Sequence, residues 1–271
     1  IKYDIKWTTL GEYLEYLEKK GVATNIASFV GTATVRIHTV GYDNRLPTAE
    51  EMDSMKLLVR QAMEEGAIGV SSALEYIPAS FASTEELTEL CRVAKEYDGM
   101  YISHIRNEDE TFLEAIDDFL LIPASTGIRS EIYHLKQVGR TNWHKLDRAI
   151  AKIDSARATG LSITADMYNY PASSTGLGIL MPEWVQEGGF EKWVARLKDP
   201  AVRKVVGAEI IKTIMRKQGT PEKVLLIGFQ TDSLKYLQGK TLAEIAAMRG
   251  KSAEETVMDL VIDDNSNVSA V

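Results

Sequence analysis

Short β-branched runs ending in polar residues recur along this chain with a period near thirty, and that rhythm limits the folds open to it. The runs end near Val30, Ser72, His104, His134 and Asp166, at intervals of 42, 32, 30 and 32 residues. Between them lie stretches with apolar residues at helical spacing. Met52, Met55, Leu58, Val59 and Ala62 follow a Thr48 cap, and Leu87, Leu90, Cys91 and Ala94 follow Ser83. Strand then helix at this period builds parallel βα units, because parallel neighbours need a long crossover. A barrel of eight such units, roughly 250 residues in all, spends about 31 on each. A doubly wound open sheet has the same local period. The barrel is favoured because polar residues stand at successive strand ends, where barrel enzymes keep their sites.

The flanks are less regular. Thr9-Leu-Gly-Glu12 reads as a capping box opening a helix to about Lys20. Asn25 to Gly31 reads as a strand followed by a small-residue loop, and a helix is expected from about Glu108 to Leu121. After Pro171 the rhythm breaks. Leu177 to Gly189 reads as a long loop or lid, Lys198 to Lys217 as a helix, and Val224 to Phe229 as a short buried strand. Two amphipathic helices, Leu242 to Met248 and Ala253 to Ile262, meet at Gly250. Asn267 to Val271 reads as the start of a strand. The expected organisation is a partial β/α barrel over 1–181, a lid or insertion over 182–240, and C-terminal helices with the start of the next barrel strand over 241–271.

Composition removes several classes of function. The net charge of −8 gives no basic face for nucleic acid or an anionic membrane. No apolar run approaches the roughly 18 residues needed to span a bilayer. Cys91 is the only cysteine, so no internal disulfide can form, as expected in a reducing, cytoplasmic setting.

Chemistry concentrates at the strand ends. His104 and His134 each close an apolar run, thirty residues apart, so two neighbouring strands would offer an imidazole at one rim. Neutral imidazole is the commonest metal ligand. The plainer reading is two core or loop histidines satisfied by hydrogen bonds. His38 and His144, the other two histidines, fall in expected loops and read as structural. Arg106 and Glu108 flank His104, and Arg106 suits either a carboxylate ligand or a rim salt bridge. Lys136 lies two residues past His134, on the same face if the strand continues. It suits a substrate carboxylate as a point charge, or simply solvent. Glu75, just past a strand end, could bridge metals or act as a base; Tyr76 beside it offers a phenol. Asp166 and the hydroxyls from Ser173 to Thr175 mark a further polar strand end. There is no Gly-rich phosphate loop and no G-x-S-x-G elbow, and Cys91 lies on a buried helix face, which argues against a nucleophilic triad.

Taken in order, the motifs resemble one family. They are Gly66-Ala-Ile-Gly-Val-Ser-Ser-Ala-Leu-Glu-Tyr-Ile-Pro78, Phe81-Ala-Ser-Thr-Glu-Glu86, Ser103-His-Ile-Arg-Asn-Glu108, His134-Leu-Lys136 and Asp166-Met-Tyr-Asn-Tyr-Pro-Ala-Ser-Ser-Thr175. Gly239-Lys-Thr-Leu-Ala-Glu244 and Gly250-Lys-Ser-Ala-Glu-Glu255 complete the set. From about Trp7 onward the chain resembles the D-aminoacylase, or N-acyl-D-amino-acid deacylase, branch of the amidohydrolase superfamily. The resemblance implies an α/β fold: a (β/α)8 TIM barrel of the metal-dependent hydrolase type, incomplete, with about strands three to seven present. It implies zinc as cofactor, with His104 and His134 matching the family's fifth- and sixth-strand ligands and Glu75 falling where related amidohydrolases place a bridging carboxylate. Tyr76, Lys136 and Ser173 fall where the family grips the substrate's carboxylate or acyl group. The departures are as informative. The chain has no His-x-His and no second-strand cysteine, and no match to the family's catalytic aspartate. The expectation is therefore a central piece of a zinc-dependent deacylase of N-acyl-D-amino acids, weakly active or inactive alone. Such a piece would self-associate through exposed sheet edges. The alternatives are a cyclic amidase of dihydroorotase or hydantoinase type, and a non-catalytic ligand-binding barrel.

Overall fold

The computed structural model describes residues 5–271, which form two compact units. The first comprises residues 5–41, 45–136 and 145–167, and the second residues 42–44, 137–144 and 168–271. The expected boundaries at 181 and 240 are not where the chain divides. Thr175-Gly176 and Leu177 share a sheet and a core with the C-terminal residues, which draws everything from 168 onward into one body.

In the first unit the order is α1 (Leu10–Lys20), β1 (Val30–Gly31), α2 (Thr32–Thr39), α3 (Ala49–Glu64), β2 (Gly69–Ala73), α4 (Thr84–Glu96) and β3 (Met100–His104). There follow α5 (Phe112–Thr126), β4 (Arg129–Ile132), α6 (Leu146–Ala158) and β5 (Ile163–Ala165). The five strands pair in sequence order, all parallel, as successive βα units require. Capping boxes open α1 and α3, with Thr9 and Glu12 at one and Thr48 and Glu51 at the other.

Burial alternates along the strands. Val70, Ser72, Tyr101, Ser103, Ser130 and Ile132 are buried toward the helices, and Tyr101 stacks on Phe119 of α5. Ser71, Ala73, Ile102, Glu131 and Thr164 lie on the opposite, more open face. β2 and β3 approach so closely that a Cβ on Gly69 would sit 2.0 Å from the Met100 carbonyl oxygen.

Two expectations fail in this unit. The stretch after Gly31 is not a loop but α2, which carries His38 on a helix. Its β-branched residues favour helix poorly, but packing decides the matter. Val35 is buried, and the Arg36 guanidinium is ion-paired with Glu86 of α4, both side chains being 1% exposed. Burial pushes the Glu86 carboxyl up, with Arg36 pulling the other way. The second failure concerns α5, which starts at Phe112 rather than near Glu108. The Asn107 carboxamide accepts from the Asp109 and Thr111 amides and turns the chain first. A cavity of about 980 Å³ opens beside β1, lined in part by Val30, Gly31, His38, Leu57 and Leu58.

The second unit contains β6 (Thr175–Gly176), α7 (Glu183–Gln186), α8 (Phe190–Leu197), α9 (Pro200–Lys217), β7 (Leu225–Gly228), β8 (Lys240–Thr241), α10 (Leu242–Arg249), α11 (Ala253–Asp263) and β9 (Ser269–Ala270). Its four strands run antiparallel in the order β6, β9, β7, β8. Leu177 to Gly189 is not an open loop. A 3-10 turn at Leu177–Leu180 and the short α7 bury Leu177, Leu180, Met181 and Val185 in this unit's core. No helix among the described residues is long and apolar enough to cross a membrane.

Candidate metal centre

Because the five strands are parallel, the loops following them leave one edge of the sheet. Glu75 and Tyr76 follow β2, Arg106 and Glu108 follow β3, His134 and Lys136 follow β4, and Asp166 follows β5. His104 is the last residue of β3, paired in register with Ala73. Under it runs a chain of buried hydroxyls. Ser103 Oγ donates to the His104 carbonyl at 3.0 Å, so Ser72 must donate to Ser103 (2.9 Å) and Tyr101 to Ser72 (2.7 Å). Burial pushes the Tyr101 phenol up, so it remains a proton donor. The strand end that carries His104 is thus fixed from below.

His134 reaches the same place by another route. β4 ends at Ile132, and strand alternation continued from there would send residue 134 toward the helices. Instead His134 adopts φ 41°, a left-handed conformation that costs a non-glycine residue of the order of 1 kcal/mol. Asp166 holds that turn. Its carboxylate accepts the His134 amide, and its carbonyl accepts the Leu135 amide at 2.9 Å. The imidazoles then meet edge to face, with centroids 4.7 Å apart and His104 Nδ1 3.1 Å from His134 Nε2.

Around this pair the polar groups converge. Glu75 Oε2 lies 3.1 Å from His104 Nε2. Glu108 Oε1 lies 3.2 Å from His134 Nδ1 and 3.8 Å from His104 Nε2, on a side chain only 4% exposed. Lys136 Nζ is 2.6 Å from the same Glu108 oxygen and 2.8 Å from His134 Nδ1. The Tyr76 ring packs edge-on against His104 at 5.2 Å. An ammonium can only donate, so His134 Nδ1 accepts from Lys136. His134 Nε2 then donates to His104 Nδ1, and His104 Nε2 to Glu75. With both imidazoles neutral, every donor in this chain meets an acceptor.

Donor atoms of His104, Glu108 and His134 lie within 4.8 Å of one another. Two imidazoles and a carboxylate form a donor set of the kind zinc takes. Glu108, which from sequence is only a neighbour of His104, stands in this triplet, while Glu75 touches its edge through His104. The sequence signal for Glu108 is its place four residues beyond a strand-ending histidine, which a tight loop folds back. Arg106 donates to the Ser80 and Ala82 carbonyls, each at 2.9 Å, and so ties down the loop that bears Glu75 and Tyr76. Ser173 is exposed in the second unit, in the stretch before β6. His144 lies in a 3-10 turn of that unit, and His38 lines the cavity beside β1. Cys91 is buried in α4, and burial pushes its thiol up, leaving it inert.

No family model matches the chain. Over 171 residues it is 37% identical to the N-acyl-D-glutamate deacylase of Alcaligenes xylosoxydans xylosoxydans, a match covering 63% of this chain and 34% of that protein. Its fold is similar to the crystal structure of N-acyl-D-glutamate deacylase from Bordetella bronchiseptica, complexed with zinc and a phosphonate inhibitor that mimics the tetrahedral intermediate. There the TM-score is 0.75 at 27% identity, covering 97% of this chain and 46% of that one. A D-aminoacylase structure described for its binuclear metal center, with one-metal activation and second-metal attenuation, gives a TM-score of 0.73 at 28% identity over the same shares. The resemblance carried by the ordered motifs is therefore borne out, as is the α/β fold with its parallel βα units. The chain spans less than half the length of these relatives.

Proposed function

We propose that this chain serves zinc-dependent hydrolysis of the N-acyl amide bond of N-acyl-D-amino acids, and that on its own it turns over weakly or not at all. The observation that carries the reading is the convergence of His104, Glu108 and His134 at the C-terminal ends of parallel strands. The similarity to deacylases supports it independently. His104, His134 and Glu108 would hold the metal, with Glu75 alongside as a further carboxylate. Zinc bound there would polarise the scissile carbonyl and lower the pKa of water toward about 7.

The other roles fall to the chain's own residues. Lys136 supplies positive charge, and Tyr76 a phenol, to the carboxylate of the amino-acid part. Arg106 acts as a positioning residue through the loop that carries Tyr76. The hydroxyl chain from Tyr101 to Ser103 keeps His104 at its post. Turnover is weak because the carboxylates beside the histidines are engaged, Glu75 by His104, Glu108 by Lys136 and Asp166 by the His134 amide. None stands ready to move a proton between water and the leaving amine.

Self-association through the outer strands of the sheet belongs to the same proposal. So does a cytoplasmic setting, supported by a single cysteine that lies buried. Elemental analysis of the purified chain, with assays on N-acetyl-D-amino acids, their L forms and cyclic ureides, tests the reading. We expect bound zinc that is lost in His104→Ala, and slow hydrolysis of D substrates only. A chain free of zinc, or one that opens cyclic ureides and spares N-acyl amino acids, overturns it.

A further inference from the structure

We infer that Lys136 is a stand-in cation for the metal site: its ammonium holds the cluster together when no metal is bound and must leave when one enters. The inference rests on the zinc reading above and extends it to how the site fills.

A neutral imidazole has one nitrogen lone pair, and a metal ligand must give it to the metal. In the structure both are engaged. His134 Nδ1 accepts from Lys136 Nζ at 2.8 Å, and His104 Nδ1 accepts from His134 Nε2 at 3.1 Å. The Glu108 oxygen nearest both histidines is held by the same ammonium at 2.6 Å. Lys136 therefore occupies the electrostatic place of a cation between two of the three candidate ligands, on a side chain only 13% exposed.

A divalent ion and this ammonium cannot share that place. At a few ångströms two positive charges repel strongly, and they compete for the same oxygen and the same nitrogen. The arrangement avoids leaving a buried carboxylate unpaired, which is costly. It also couples two events. When His104, Glu108 and His134 turn to a metal, Lys136 is freed for an anionic group, such as the carboxylate of an amino acid. Linkage then requires that whatever draws Lys136 away also strengthens metal binding.

The test compares zinc affinity, by competition with a chromogenic chelator, in the chain and in its Lys136→Met and Lys136→Arg variants, with circular dichroism to verify folding. Removing the charge should tighten zinc about fivefold or more, within the range usual for coupled sites; keeping it as arginine should not. Trace acetylation read by mass spectrometry gives a second measure on the unmodified chain, in which Lys136 should react faster with zinc than without. Zinc binding in Lys136→Met that is unchanged or weaker overturns the inference, as does equal labelling in the two states. If the unmodified chain binds no zinc at all, the zinc reading itself falls and this inference with it.

Discussion

Gly69 shows what a single missing side chain does for this sheet. With φ 154° and the Met100 carbonyl 2.0 Å from where a Cβ would stand, it is the position at which β2 and β3 can close to ladder distance. Gly69→Ala should therefore destabilise the chain by about 2 kcal/mol or more, read as a lower urea midpoint. That need was not visible in the sequence, where Gly69 is one of 19 glycines. His104, Lys136 and Tyr76 were legible because each stands beside a strand end inside a distinctive motif. Glu108 was legible only as a neighbour of His104, because its part depends on a loop that folds back over the strand. The path of His134 was not legible either, since the strand stops two residues earlier than its apolar run suggests.

Helices were the clearest elements in advance, because caps and apolar stripes are local signals. Thr9, Thr48 and Ser83 cap the helices they were expected to open, and α10 and α11 meet at Gly250. α2 is not legible in a short window, because what fixes it is the packing of Val35 and the Arg36–Glu86 contact with α4. The turns within Leu177 to Gly189 are hidden likewise, since the core that buries them is built from residues distant in sequence. Between elements, α9 and α11 of the second unit are joined by a charged network. Arg203 Nη2 lies 2.8 Å from Asp259 Oδ1, and Lys251 donates to the other Asp259 oxygen. Burial alone would raise the Asp259 pKa, but the hydrogen bonds from Lys251 and Arg203 outweigh it and hold the carboxyl below its usual 3.8. A depressed folded-state pKa stabilises above the unfolded value and is lost as pH falls through the folded one. The stability of the chain should thus drop below pH 3.8, and Asp259→Asn should flatten that limb of a urea-midpoint against pH curve.

On the scale of the whole molecule, the outer strands β1 and β5 each have a single neighbour in the sheet among the described residues. An unpaired edge invites another strand unless something blunts it. Beside β1 the surface is also concave and partly apolar, and Leu57 stands 65% exposed on its lining. Leu57→Lys should leave folding intact, since the side chain is already in solvent, and should shift sedimentation profiles toward the monomer. Unchanged self-association would point instead to β5. Strand-to-helix rhythm announced the parallel sheet, but it held no information on the second unit, whose antiparallel strands are two to four residues long.

The left-handed turn at His134 sets durability against chemistry at one position. Asparagine tolerates that backbone better than histidine does, and it presents no imidazole. His134→Asn should therefore raise the melting temperature slightly, by a shift worth up to about 1 kcal/mol, while zinc retention collapses. A variant that resists heat better and binds nothing would mark residue 134 as a place where selection has kept reactivity at the expense of endurance.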